Sequence, residues 1–268
     1  MGRITDCFDL LQEEKRKGLI PFIVAGDPKP EFTLSFMMAL VEGGADMIEL
    51  GVPFSDPMAD GPVIQRGSER ALLHGTALHD VIDMVAAFRK DNQHTPVILM
   101  GYLNPIEIMG YENFAKSATD AGVDGVLIVD MPPEEAGELK EILVKYQLDL
   151  IFLISPTTSV ERQKYIAEIA SGFLYYVSLK GVTGSDRLNV DSVQESVRTI
   201  KQHSKLPVGV GFGIRDAESA ASVAKVSDAV VVGSPIVELV GMLQDDSAGS
   251  MKSISNYLSA MRQAIDAV

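Results

Sequence analysis

Two carboxylates on one short stretch, Glu49 and Asp60, are the residues of this chain best suited to chemistry. Glu49 sits in Asp46-Met47-Ile48-Glu49-Leu50-Gly51-Val52, which otherwise reads as a buried strand. Burying an unpaired glutamate is costly, or forces the carboxyl to keep its proton. Side chains alternate along a strand, so Met47, Glu49 and Gly51 share one face while Ile48 and Leu50 share the other. The two aliphatic residues suit a helix-covered side, which leaves Glu49 pointing inward, and no strand interior supplies a Lys or Arg to neutralise it. Asp60 follows in a stiff loop, Pro53-Phe54-Ser55-Asp56-Pro57-Met58-Ala59-Asp60-Gly61-Pro62. Asp56 is its rival, because Ser-Asp-Pro and Ala-Asp-Gly are both ordinary turn sequences. A buried acid beside a second carboxylate suits acid–base chemistry.

The elements that must position this pair recur along the chain. Short apolar runs at 19–25, 46–52, 96–102, 125–130, 148–154, 173–179, 207–211 and 229–233 predict eight strands. Amphipathic stretches such as 34–41, 81–88, 114–121 and 139–146 predict helices between them. Alternating strands and helices, with nearly continuous apolar strands, imply a parallel sheet covered by helices. Eight such units match an α/β fold, a single (β/α)8 TIM barrel spanning 1–268. A doubly wound open sheet is the alternative, but no nucleotide fingerprint follows the first strand. Ile4, Phe8 and Leu11 recur at helical spacing and predict an extra N-terminal helix plugging the barrel bottom. The polar stretch 244–250 reads as a loop before a last helix at 251–267.

In such barrels the working face is formed by the C-terminal ends of the strands. Phe22, Met100, Leu127, Val129, Leu153, Tyr175 and Phe212 could line a flat apolar pocket there, each with core packing as the bland reading. Strand seven ends in Gly211-Phe212-Gly213-Ile214, and Asp216 can cap the next helix. Strand eight ends in Gly233-Ser234-Pro235, where Ser234 can cap a short helix begun by Pro235. Glycines and a helix N-terminus at the mouth make an anion cradle, and the loops after strands seven and eight are the usual phosphate site of this architecture. The glycine-rich loop 180–189 reads as a lid that excludes water.

Composition narrows the field. A net charge of −14, from 23 Lys and Arg against 37 Asp and Glu, argues against nucleic acid or an anionic membrane as partner. The single Cys7 and the lack of a long apolar run or signal-peptide core point to a soluble cytoplasmic protein. His74, His79, His94 and His203 fall away from strand ends, so no metal is expected. Lys180 is the one lysine near a strand end, and a Schiff-base aldolase or phosphosugar isomerase through it is poorly supported. A phosphate cradle, an apolar slot and two carboxylates suit a substrate that supplies its own electron sink.

The run from Pro53 to Gln65 with Glu49 before it, Gly181-Val182-Thr183-Gly184, Gly211-Phe212-Gly213-Ile214 and Gly233-Ser234 together resemble the signature of the tryptophan synthase α-subunit family, over essentially the whole chain. Met58 and Met100 stand where Leu is commoner in that family, and Lys180 stands in a variable part of the lid. The resemblance implies retro-aldol cleavage of indole-3-glycerol phosphate to indole and glyceraldehyde 3-phosphate. It implies Glu49 as acid toward indole C3 and base toward the side-chain hydroxyl, with Asp60 on the indole N–H. Phe22, Met100, Tyr175 and Phe212 would enclose the ring and Thr183 would steady the lid against Asp60. Gly184, Gly213, Gly233 and Ser234 would bind the phosphate. No cofactor is implied in this chain. The implied partner is a pyridoxal-phosphate β subunit in an α2β2 assembly, met near Pro53, Asp56, Asn104 and Pro132. The rivals are a stand-alone lyase on the same scaffold and a catalytically weak regulatory barrel.

Overall fold

Eight parallel strands close on themselves in the computed structural model, in the order β1 to β8, with β1 hydrogen-bonded to β8. The structure describes residues 2–178, 190–211, 213–242 and 247–268. The expected lid, with Lys180, Thr183 and Gly184, and Phe212 fall outside those residues.

The chain opens with helix α1 (Arg3–Glu13) and strand β1 (Gly18–Val24). Then come α2 (Thr33–Glu42), β2 (Ile48–Gly51), α3 (Pro62–Leu73), α4 (Leu78–Phe88) and β3 (Val97–Gly101). Helices α5 (Leu103–Met109) and α6 (Tyr111–Ala121) lead to β4 (Gly125–Ile128), α7 (Gly137–Lys145), β5 (Asp149–Ile154) and α8 (Val160–Ile169). The last part is β6 (Leu174–Val177), α9 (Val190–Lys201), β7 (Val208–Gly211), α10 (Ala217–Ala224), β8 (Ala229–Val232), α11 (Ser234–Met242) and α12 (Ser247–Asp266). The expected strands thus form within a few residues of their sequence runs. The last helix starts at Ser247, ahead of the expected 251, and α3 is an additional helix that no apolar period announces.

The pleat sorts side chains into two cores. Ile20, Met47, Ile98, Leu127, Ile151, Phe173, Ala229 and Val231 face the barrel interior, where Ile4, Phe8 and Leu11 of α1 join them. Their strand neighbours Leu19, Ile48, Leu50, Leu99, Val126, Leu150, Leu174, Val210 and Val230 belong to the layer between sheet and helices. Helix α1 therefore plugs the bottom, as its spacing predicts. No single helix among the described residues is long and apolar enough to cross a membrane.

Carboxylates at the bottom are hydrogen-bonded and countered. Asp46, Asp124 and Asp228 each accept a backbone N–H near the start of the neighbouring strand, from Leu19 at 2.7 Å, Val97 at 2.7 Å and Val208 at 2.8 Å. Each also meets a cation, Arg262 at 2.9 Å, Arg89 at 2.6 Å and Lys201 at 2.7 Å. Asp124 additionally takes Arg3 at 2.8 Å. Removing one partner of a buried ion pair strands the other charge. Asp124→Ala leaves the 6% exposed Arg89 without its carboxylate, and urea denaturation is expected to show a loss of roughly 3–5 kcal/mol. A loss below about 1 kcal/mol would contradict this account.

Candidate active site

At the mouth the pattern inverts. Glu49 lies on β2 with the parity of Met47, opposite to Ile48 and Leu50, and is 2% exposed. Among the described residues its Oε1 has no hydrogen-bond partner. Burial first, and then the charge of Asp60, push its carboxyl from 4.5 up to about 8. Tyr175 on β6 is raised well above its ordinary value by burial first and then by the charge of Glu49.

The aromatic walls need glycine opposite them. A Cβ on Gly51 would come within 2.6 Å of Phe22 Cζ, and one on Gly211 within 2.2 Å of the Tyr175 hydroxyl. Both rings thus occupy space that only a missing side chain leaves open. At Gly51, two residues along β2 from Glu49, lies a small cleft whose walls include Phe22, Asp60, Ile64, Met100, Tyr102 and Val129. Met100, Val129, Leu153 and Tyr175 are partly buried over the inner cluster, while Leu127 is wholly within it. The cleft also takes walls outside the expected pocket, Ile64 from α3 and Tyr102, the last residue of the 96–102 run, just past β3. The signal for Ile64 was available in Gly61-Pro62, since Pro is favoured at the first helical position.

Asp60 stands half-buried on the loop between β2 and α3. Its Oδ2 accepts from the Tyr102 hydroxyl at 3.1 Å, and its main-chain oxygen accepts from Gln65 Nε2 at 2.8 Å. Burial raises the carboxyl and the Tyr102 bond lowers it. Asp56 is exposed and instead accepts from Ser55 at 2.5 Å, so of the two loop aspartates the one coupled to Glu49 is Asp60.

Opposite this loop the chain turns at Gly213, with φ of 79°, and enters α10, whose N-cap Asp216 accepts from the Ser219 N–H at 2.8 Å. The Gly233 carbonyl accepts from Ile236 at 2.9 Å and Val237 at 3.2 Å, so Gly233 stands at the cap of α11, one residue before the expected Ser234. Ser234 is exposed in the first turn, and the Cβ direction of Gly233 points at Phe22, 3.5 Å away. The N-terminal end of α11 therefore borders the aromatic slot. Asn104 and Pro132 are exposed near the mouth, whereas Pro53 is buried. No cluster able to hold a metal occurs among the described residues.

The family model described as tryptophan synthase alpha chain matches residues 8–266. A tryptophan synthase alpha chain from Marinobacter nauticus is 56% identical over 268 residues, which cover 100% of this chain and 99% of that protein. One from Nitrosococcus oceani is 55% identical over 267 residues, 100% of this chain and 98% of the relative. The crystal structure of tryptophan synthase subunit alpha from Legionella pneumophila superposes with a TM-score of 0.93 at 47% identity, covering all of both chains. A chain of M. tuberculosis tryptophan synthase in an aminoacrylate-bound form gives 0.88 at 31% identity, covering 99% of this chain and 100% of that one.

The unneutralised carboxyl has a consequence for stability. Its value is raised on folding, so its contribution is full below the unfolded value of 4.5 and is lost as pH rises through about 8. Urea midpoints of the native protein should therefore fall between about pH 5 and 9 more steeply than those of Glu49→Gln, by roughly 2–4 kcal/mol across the range. Parallel profiles would show that Glu49 titrates normally.

Proposed function

The chain belongs to the tryptophan synthase alpha chain family, lyases that cleave indole-3-glycerol phosphate, and we propose that Glu49 and Asp60 carry that cleavage in the whole chain acting as one domain. The full-length identity to alpha chains favours the α-subunit role over a stand-alone lyase or a regulatory barrel. The observation behind the residue roles is the buried Glu49 carboxyl, held near 8 with Asp60 for a neighbour and no countering cation among the described residues.

A carboxyl with that value is protonated at neutral pH and is an acid ready to give its proton to indole C3. Protonation makes C3 tetrahedral and turns the ring into an indoleninium, its positive charge centred on the ring nitrogen. Asp60, as carboxylate, accepts the N–H hydrogen bond and stabilises that charge. The Glu49 carboxylate left behind then takes the proton of the hydroxyl on the adjoining carbon. That carbon becomes the aldehyde of glyceraldehyde 3-phosphate, the C–C bond breaks, and its electron pair restores the C2–C3 double bond while the iminium nitrogen regains its lone pair. Indole keeps the proton donated first, and Glu49 ends protonated, so the cycle closes without a metal, an amine or a cofactor in this chain.

Phe22, Met100, Leu127, Val129, Leu153, Tyr175 and Phe212 hold the ring in this reading, and Gly184, Gly213, Gly233 and Ser234 the phosphate. The exposed first turn of α11 bordering Phe22 supports it, because a helix N-terminus stabilises an anion without lysine. Thr183 steadies the lid over Asp60. The partner is a β subunit, which we take to carry pyridoxal phosphate and to form an α2β2 complex in the cytoplasm. Exposed Asp56, Asn104 and Pro132 with the apolar Met58 and Ile108, 82% and 81% exposed, supply a docking face of the mixed kind partners bury; Pro53, buried, shapes the loop beneath it.

Indole release from indole-3-glycerol phosphate, measured with and without a β subunit, tests the reading. Glu49→Gln should lower kcat by roughly 10²–10⁴-fold while an indole analogue still binds. The native kcat/KM should fall above about pH 8 as Glu49 loses its proton, and fall again at low pH as Asp60 gains one. Near-native turnover by Glu49→Gln would remove this residue from the mechanism.

A further inference from the structure

Tyr102 lies one residue past β3, at the N-cap of α5, and is 4% exposed. Its hydroxyl donates to Asp60 Oδ2 at 3.1 Å and accepts from the Ala59 N–H at 3.1 Å. Its ring stacks on Phe54 of the same loop, with centroids 5.0 Å apart and planes 24° from parallel. The next residue, Leu103, donates its N–H to Asp130 Oδ1 at 2.8 Å, which ties the tyrosine's backbone to the loop after β4. One side chain thus pins the acidic loop by a donated bond, an accepted bond and a ring face.

We propose that Tyr102 is a positioning residue for the cleavage, fixing Asp60 as a hydrogen-bond acceptor at the cleft and so keeping the two carboxylates in opposite protonation states. This rests on the proposed role of Asp60. A carboxylate on a loop rotates freely unless something holds it, and the Tyr102 bond engages Oδ2 so that Oδ1 is left to meet a ring N–H. The surroundings otherwise discourage ionisation. Among the described residues the ionisable groups facing Asp60 are Glu49 from β2 and Tyr102 itself, and Asp130 acts on that tyrosine. From α3 the neutral amide of Gln65 reaches the main-chain oxygen of Asp60. Burial favours the neutral form of Asp60, and the Tyr102 bond is the influence that opposes it. An ionised Asp60 in turn helps hold the proton on Glu49. Two acids are thereby split into a proton donor and an anion, the division the cleavage needs.

Tyr102→Phe tests this, because it keeps the ring and its stack and removes only the hydroxyl. Indole release should show kcat/KM at neutral pH lowered about tenfold or more, the size of a lost bond to a charged group. The acid limb of the pH profile should move to higher pH, with the melting temperature little changed. In an Asp60→Asn background the same substitution should cause no further loss. An unchanged pH profile, or an equal loss in the Asp60→Asn background, would overturn the proposal and leave the Asp60 role standing. A fully active Asp60→Asn single variant would overturn the Asp60 role and Tyr102's with it.

Discussion

A carboxyl with no counter-charge among the described residues governs this molecule. Glu49 is enclosed by the strands of the barrel, raised to about 8, and faces another acid rather than a base. The same barrel counters three of its bottom aspartates, Asp46, Asp124 and Asp228, with Arg262, Arg89 and Lys201 and with strand N–H groups. The same functional group at two ends therefore has opposite outcomes: the acids at the base are paired and bonded, and the acid at the mouth keeps its proton to about pH 8. Such a residue destabilises its own fold as pH rises, and persists because the surrounding core over-determines its position. The inner cluster, sealed below by Ile4, Phe8 and Leu11, supplies that rigidity.

The mouth is assembled from three directions around this acid. The strand ends bring Phe22, Met100, Val129 and Tyr175, and the loop after β2 brings Asp60. Tyr102, from the end of the next strand, clasps that loop. Glycine is what lets the rings sit so close to the sheet. Gly51 and Gly211 lie on the inward parity of their strands, where any side chain would take the volume of Phe22 or of the Tyr175 phenol. The apolar slot is thus as much a product of absent side chains as of the rings that fill it.

Much of this was legible in the sequence because it follows from period. The barrel, the plug and the inward parity of Glu49's strand all derive from alternation or helical spacing, and those signals are strong when the buried residues are large. Helix α3 escaped notice for the converse reason. Its fully buried residues, Gly67, Ser68 and Ala71, are small, and Val63 and Ile64 pack only partly buried beside them, so its start at Pro62 was readable chiefly as a cap signal. The Tyr102–Asp60 bond joins residues on different loops, which no local pattern encodes. The cap of α11 differed by one residue because Ser234 and Gly233 are both good caps, and local preference alone does not choose between them.

The small face of α3 has a structural use that larger residues would defeat. A Cβ on Gly67 would meet Val237 of α11 at 2.9 Å and Asp27 Oδ2 at 3.0 Å, so the two helices approach as closely as a missing side chain permits. Arg70, one turn further on, donates to both oxygens of the buried Asp27 at 2.6 and 2.8 Å and leaves no room for a Cβ at Gly241 of α11. Helix α3 begins two residues after Asp60, and α11 begins at the proposed phosphate end of the cleft. The loop proposed to address the ring and the helix proposed to address the phosphate are therefore joined through the close packing of α3 on α11, with Arg70 of α3 also clamped to Asp27. The loop carrying Asp60 thus rests on α3 at one side and on the bond to Tyr102 at the other.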